Sequence, residues 1–195
     1  MAMKAQEGEL NLLASRAAED DRCAIEELLA QVRPMVVRYC RARLGRTGGS
    51  YTTADDVAQE VCIAVLSALP RYRDMGRPFS AFVFGIAAHK VTDAHRGAAR
   101  DLSHPVEILP DLADPSRGPE SRALAADTAR QVNELLDALT PTQRDVLVLR
   151  IAVGLTADET GAALDMTPGA VRVAQHRALT RLRELVDGDL GEATA

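Results

Sequence analysis

The chain has 195 residues with 28 acidic and 23 basic side chains, and its net charge of −5 argues by itself against a nucleic-acid binder held by bulk charge. A hydrophobic content of 47% excludes a disordered polypeptide, and the lack of Trp, with only three Tyr and three Phe, favours helices over sheets. No apolar run approaches the roughly 20 residues of a membrane span and no leader pattern opens the chain, so a soluble, cytoplasmic protein is expected.

In chain order, residues 1–20 are polar and are expected to fray. From Cys23 to Leu44 apolar residues recur at Ile25, Leu28, Leu29, Val32, Val36, Tyr39 and Leu44, which is helical spacing, with Pro34 expected to kink or split the helix. Residues 45–50 read as a loop. Thr53 can cap a helix running to about Leu69, with Asp55 and Asp56 in its first turn and Val57, Val61, Val65 and Leu69 as its apolar stripe. Pro70 ends it, and Arg71–Arg77 is a connecting loop. A further helix runs from about Pro78 to Arg96 or beyond, its buried side carrying Phe79, Phe82, Val83, Ile86 and Ala87.

Residues 101–119 hold four prolines and no helical period, so they read as an extended linker that leaves the two halves free to move independently. Four helices should follow: one over about 121–139, one opening at Thr140-Pro141-Thr142-Gln143, one at Thr156-Ala157-Asp158-Glu159, and one from Thr167-Pro168 to about Val186. The second and third begin with capping boxes. The result is an all-α chain of two small helical domains, 21–100 and 121–187, with a linker over 101–120 and a flexible tail over 188–195. Cys23, Cys40 and Cys62, odd in number and beside apolar helical patterns, read as buried reduced thiols.

The charge is segregated. Residues 71–100 carry +4, residues 168–183 carry +4 and residues 101–127 carry −4, so two anion contacts lie either side of an acidic spacer. The helix 157–164, the turn Asp165-Met166-Thr167 and the helix from Pro168 have the lengths of a DNA-binding helix-turn-helix. On the second helix Val171, Ala174, Ala178, Leu182 and Leu185 form one stripe. Arg172, His176 and Arg183 lie opposite, flanked by Arg177 and Arg181, as major-groove reading requires. Asp165 occupies the turn position where Gly is common, and Asp tolerates the left-handed conformation it needs.

Asp56 and Glu60, four apart with Gln59 beside them, fit a docking face for a basic partner, a solvated acidic face or a catalytic pair. No phosphate loop, HExxH or GxSxG accompanies them, which disfavours an enzyme. His89, Asp93, Arg96 and Arg100 form a polar stripe on the 78–100 helix, bordered by Lys90. It could face a DNA backbone and an exposed base, or solvent. His89 and His95 lie on different faces, so no metal pair is expected, and nothing calls for a cofactor.

Thr53–Val61 (TADDVAQEV) resembles the region 2.2 signature of sigma factors. Phe82–Arg96 resembles regions 2.3–2.4, Leu139–Val146 resembles region 4.1 and Thr156–Arg183 resembles region 4.2. The order and the lack of a third domain are those of extracytoplasmic-function (group IV) sigma factors, with closest likeness to an actinobacterial sigma-D-like subgroup. The resemblance implies a non-catalytic subunit that binds core RNA polymerase and directs it to promoter DNA. Asp55, Asp56, Gln59 and Glu60 would meet the beta-prime clamp helices. Arg71, Arg73, Arg77, His89, Lys90, Asp93 and Arg96 would engage the −10 element and a flipped base. Arg172, Val173, Ala174, His176 and Arg177 would read the −35 element. Residues near Arg144–Ile151 would pack under the beta flap, the acidic linker would thread the polymerase channel, and an anti-sigma factor is a conceivable further partner. His89 stands where the family usually has Asn, and Phe82 where it has Trp. A stand-alone helix-turn-helix regulator is the competing reading; it would bind duplex DNA without polymerase.

Overall fold

The computed structural model describes residues 2–44, 53–101, 131–132 and 134–192. The expected 45–50 loop, the Pro-rich linker and most of the 121–139 helix lie outside them. Among the described residues there is no strand. The helices are α1 (Ala2–Ala18), α2 (Arg22–Leu44), α3 (Ala54–Ala68), a 3-10 turn (Leu69–Arg71), α4 (Phe79–Asp101), α5 (Pro141–Leu147) running into a π-helical turn (Val148–Val153), α6 (Ala157–Leu164) and α7 (Pro168–Glu192).

Where the sequence suggested fraying, Ala2–Ala18 form α1. Leu10, Leu13, Ala14 and Ala17 repeat at i, i+3, i+4 and i+7 and are all buried. Asp20 takes a left-handed φ of 67° after the helix, and Asp21 accepts a 3.1 Å bond from the Ala24 amide at the start of α2 while pairing with Arg16 at 2.6 Å. The expected tail is also shorter than 188–195, because α7 continues to Glu192. Pro34 neither splits nor ends α2. It sits on the exposed side, where the backbone carbonyl it leaves unpaired can meet water.

The three N-terminal signals form as read. Thr53 with Asp56, Thr140 with Gln143 and Thr156 with Glu159 each make a reciprocal capping box. On α4 the buried apolar residues among those described are Phe79, Ala81, Val83, Phe84, Ala87 and Val91, whereas Phe82 and Ile86 are only half-buried, so the inward face is rotated from the expected one. Cys40 is buried, Cys62 half-buried and Cys23 exposed, so the expectation of three buried thiols holds for Cys40 alone.

One hydrophobic core is shared by α1 to α4. It is built around Tyr39, Phe79, Phe84, Leu28 and Leu69, and it continues into Val148, Leu149, Val153 and Leu155 of the second half. The expectation of two independent halves is therefore corrected. The π-helical turn makes the contact, by laying its apolar side against α2. Two smaller clusters complete the C-terminal part: Leu139, Leu147 and Ala178, and Val146, Ala157 and Val171.

Candidate docking and nucleic-acid surfaces

The acidic face of α3 is more structured than a solvated stripe. Asp56 Oδ2 accepts from the Thr53 amide (2.9 Å) and hydroxyl (2.8 Å), so this carboxylate serves the helix start. Asp55 receives a forked bond from Arg41 of α2, at 2.9 and 2.7 Å, which holds its carboxyl below the ordinary range. Arg33, Val37 and Arg41, at i, i+4 and i+8 on α2, face Asp55, Asp56 and Gln59 across an open groove. The groove is thus of mixed charge. Sequence reasoning missed its basic wall, whose only signal was the spacing of two arginines on a polar helix face.

Glu60 lies one turn beyond Asp56 and pairs with Lys90 of α4 at 3.0 Å. The structure thereby joins two residues that the motifs had assigned to different surfaces. His89, Asp93 and Arg96 are exposed on α4, with Asp93 and Arg96 3.5 Å apart. His95, by contrast, turns inward: its Nε2 lies 3.2 Å from the Arg43 carbonyl oxygen, and burial lowers its pKa, with the Arg43 charge adding to the effect.

The loop before α4 presents Arg71, Arg73 and Arg77, all exposed. Asp74 Oδ1 accepts from the Gly76 amide at 2.8 Å, and Gly76 adopts φ 71°, a conformation glycine takes without strain. Tyr72 anchors the loop by packing edge-on to Phe79 (5.2 Å between centroids) and against Phe82 (5.3 Å). Met75, between the arginines, is 83% exposed and was not singled out from the sequence. Arg77 reaches the carbonyl of Ala162 (3.2 Å) and the Asp165 carboxylate (3.4 Å), so the loop touches the helix-turn-helix.

In the helix-turn-helix, Asp165 takes φ 56° and ψ 41° at the end of α6, as its place in the turn requires. The Met166 amide donates to the Gly161 carbonyl at 2.8 Å. A Cβ at Gly161 would lie 2.5 Å from the Met166 carbonyl oxygen, so only glycine permits the turn to close this tightly. Val171 and Ala178 form the buried inner side of α7, and Arg150 fixes the helix by donating to Gln175 at 3.0 Å. Arg172, Val173, His176 and Arg177 are exposed on the outer face, and Ala174 is half-buried beneath them. Arg71, Arg73, Arg77 and Arg96 of the first basic segment and Arg172, Arg177, Arg181 and Arg183 of the second are all exposed. Arg144–Ile151 is different: Val148 and Leu149 are buried against the first half of the chain.

Among the described residues no group of three or more His, Cys, Asp or Glu side chains could hold a metal ion. No helix there is long and apolar enough to cross a membrane.

Both halves of the chain match known families. Residues 28–101 match the family Sigma-70 region 2, and residues 135–184 match Sigma-70, region 4. The chain is 55% identical over 183 residues to the ECF RNA polymerase sigma factor SigD of Mycobacterium tuberculosis, covering 94% of this chain and 86% of SigD. It is 54% identical over 182 residues to the ECF RNA polymerase sigma factor ShbA of Streptomyces griseus, covering 91% and 95% of the two chains. A solved structure of CnrH in complex with the cytosolic domain of CnrY superposes with a TM-score of 0.70 at 27% identity, covering 93% of this chain and 99% of CnrH.

Proposed function

This chain belongs to the extracytoplasmic-function RNA polymerase sigma factors, which direct core polymerase to promoters, and from that membership we propose how its residues divide the work. Residues 21–100 act as region 2 and residues 121–187 as region 4, joined by the linker over 101–120. Asp55, Asp56, Gln59 and Glu60 dock the beta-prime clamp helices. Asp56 acts partly through the helix start it caps, and Glu60 together with Lys90. Arg71, Arg73, Arg77, His89, Lys90, Asp93 and Arg96 engage the −10 element. Arg172, Val173, Ala174, His176 and Arg177 read the −35 element in the major groove, and the Arg144–Ile151 segment meets the beta flap through its exposed side, where Ile151 lies. The chain supplies binding energy and no chemistry. Unstacking a base costs a few kcal/mol, which contacts to the flipped base and to phosphates offset. It works in the cytoplasm beside the polymerase, and because CnrH is solved in complex with the cytosolic domain of CnrY, a protein partner such as an anti-sigma factor fits this chain too.

The observation that carries this reading is the pairing, in one acidic chain, of two outward basic helical faces with ordered matches to both regions. A self-sufficient regulator would need only the second face. The test is in vitro transcription with purified core enzyme over a promoter library, beside a gel shift without core. Promoter-specific transcripts with core and weak DNA binding alone are expected. Tight, specific duplex binding by the free chain, with no transcripts, would overturn the proposal.

A further inference from the structure

The start of α4 presents a capping problem that its own sequence does not solve. The first amides of a helix have no intrahelical acceptor, and the residue before Phe79 is Pro78, whose side chain offers no oxygen. Phe79 is 0% exposed and Ser80 2%, so water does not reach them either. A buried amide left without a partner costs about 1–3 kcal/mol. The acceptors come from α1. Asn11 Oδ1 accepts from the Phe79 amide at 2.8 Å, and Glu7 Oε1 from the Ser80 amide at 3.0 Å. Burial raises the Glu7 pKa, while the hydrogen bonds from Ser80 and Phe79 pull it the other way. A carboxylate at a helix N-terminus also meets the positive end of the macrodipole.

Phe79 joins the proposed −10 loop to α4. Its amide is held by Asn11, while its ring packs against Tyr72 and Phe82 at 5.2 and 5.6 Å. Tyr72 begins the loop that carries Arg73, Met75 and Arg77. A shift of the first turn of α4 would therefore move both the loop and the face of His89, Asp93 and Arg96. The match to region 2 begins at residue 28, so α1 lies before it. Relying on the function proposed above, we infer that α1 belongs to the promoter-opening apparatus, with Asn11 and Glu7 as positioning residues that set the −10 loop and α4 from outside.

The test uses the full chain with core polymerase and Asn11→Ala, read in three ways: core affinity, binding to a −35 duplex, and permanganate reactivity of unpaired −10 thymines. Asn11→Ala should lower −10 opening roughly five- to tenfold, as loss of a strong cap does, with core affinity and −35 binding unchanged. Asn11→Asp, which keeps an acceptor oxygen, should restore opening to near the parent level. Should Asn11→Ala melt below the assay temperature, Glu7→Ala removes the second acceptor and is read the same way. Unchanged opening overturns the inference. So does an equal loss in all three measurements without rescue by Asp, since that would mean a role in stability alone. If the parent chain itself gives no transcripts with core, the proposed function fails, and the two failures are thereby distinguished.

Discussion

Tyr39 donates a 2.9 Å hydrogen bond to Asp145, joining residues 106 apart in sequence, and Arg43, one turn further along α2, closes on the same carboxylate at 2.7 Å. Tyr39 is 0% exposed and the Arg43 side chain 8%, so this is a polar lock inside an apolar interface. Burial raises the Tyr39 pKa, with the Asp145 charge adding to it, so the phenol stays a donor. Removing one partner of a buried pair typically costs about 3–5 kcal/mol, because the remaining charge is stranded. Separation of the halves would hydrate Arg43 and so limit that cost. Asp145→Ala is therefore expected to open the molecule rather than unfold it. Small-angle scattering should show the radius of gyration rising above the about 16 Å of a compact chain of this length. Asp145→Asn should open it less. An unchanged radius in Asp145→Ala would mean that the apolar contacts of Val148, Leu149, Val153 and Leu155 hold the halves together unaided.

The acidic face of α3 separates into residues that fold and residues that only face outward. Asp56→Lys would remove the reciprocal cap with Thr53, at a cost of about 1 kcal/mol, or roughly 2–4 °C of melting temperature for a chain of this size. Asp55→Lys breaks an ion pair whose side chains are 64% and 55% exposed, which is worth about 0–1 kcal/mol. Both should weaken co-purification with core polymerase, but only Asp56→Lys should lower the melting temperature measurably. Equal melting of the two variants would remove the cap assignment. Asp55→Lys co-purifying like the parent would remove Asp55 from the docking face.

The sequence carried its local signals well. The Thr53 cap and the capping boxes at Thr140 and Thr156 depend on residues three apart and formed as read, Thr53 gaining a reciprocal bond from Asp56 as well, and Asp165 took the left-handed turn. The stripe of α1 was equally local but was masked by Glu7 and Glu9 just before it and Asn11 within it. Two of those polar residues turn out to cap α4. What could not be read joins distant segments: Lys90 with Glu60, Arg77 with Asp165, and Tyr39 and Arg43 with Asp145. No periodicity encodes such pairs, because each depends on how whole helices pack. The same holds for Arg41, which looks like a solvated charge until α3 is laid beside α2.

His95 gives the fold a pH dependence of definite sign. Its pKa is lowered first by burial and then by Arg43, with Arg144 acting in the same direction and Asp137 and the Arg43 carbonyl opposing. The unfolded chain therefore binds a proton at a higher pH than the folded chain does, so stability rises with pH across this window. The contribution of neutral His95 should be complete above the ordinary imidazole value of about 6.5 and should fall as the solution is acidified below it. Urea unfolding at pH 7.5 and pH 5.5 should show a larger loss in the parent than in His95→Gln, which keeps an amide donor for the Arg43 carbonyl but does not titrate. Identical losses in the two proteins would mean that other groups carry the acid sensitivity.

The recognition face of α7 makes the most direct demand on the proposed function. Arg172 and Arg177 are exposed, on a helix whose inner side is fixed by Val171, Ala178 and the Arg150–Gln175 hydrogen bond, so truncating either should leave the fold unchanged. An arginine bonding a guanine edge contributes about 1–3 kcal/mol and discriminates one base pair, whereas one on a phosphate weakens all sequences alike and lowers the salt dependence of binding by about one ion. The two cases are separable. Arg172→Ala and Arg177→Ala holoenzymes should be titrated against −35 duplexes bearing every single substitution, at several salt concentrations. Loss confined to one position assigns that arginine to base reading, and uniform loss with a reduced salt slope assigns it to the backbone. If neither variant changes run-off transcription or −35 affinity, the outward face of α7 is not the surface that reads the promoter.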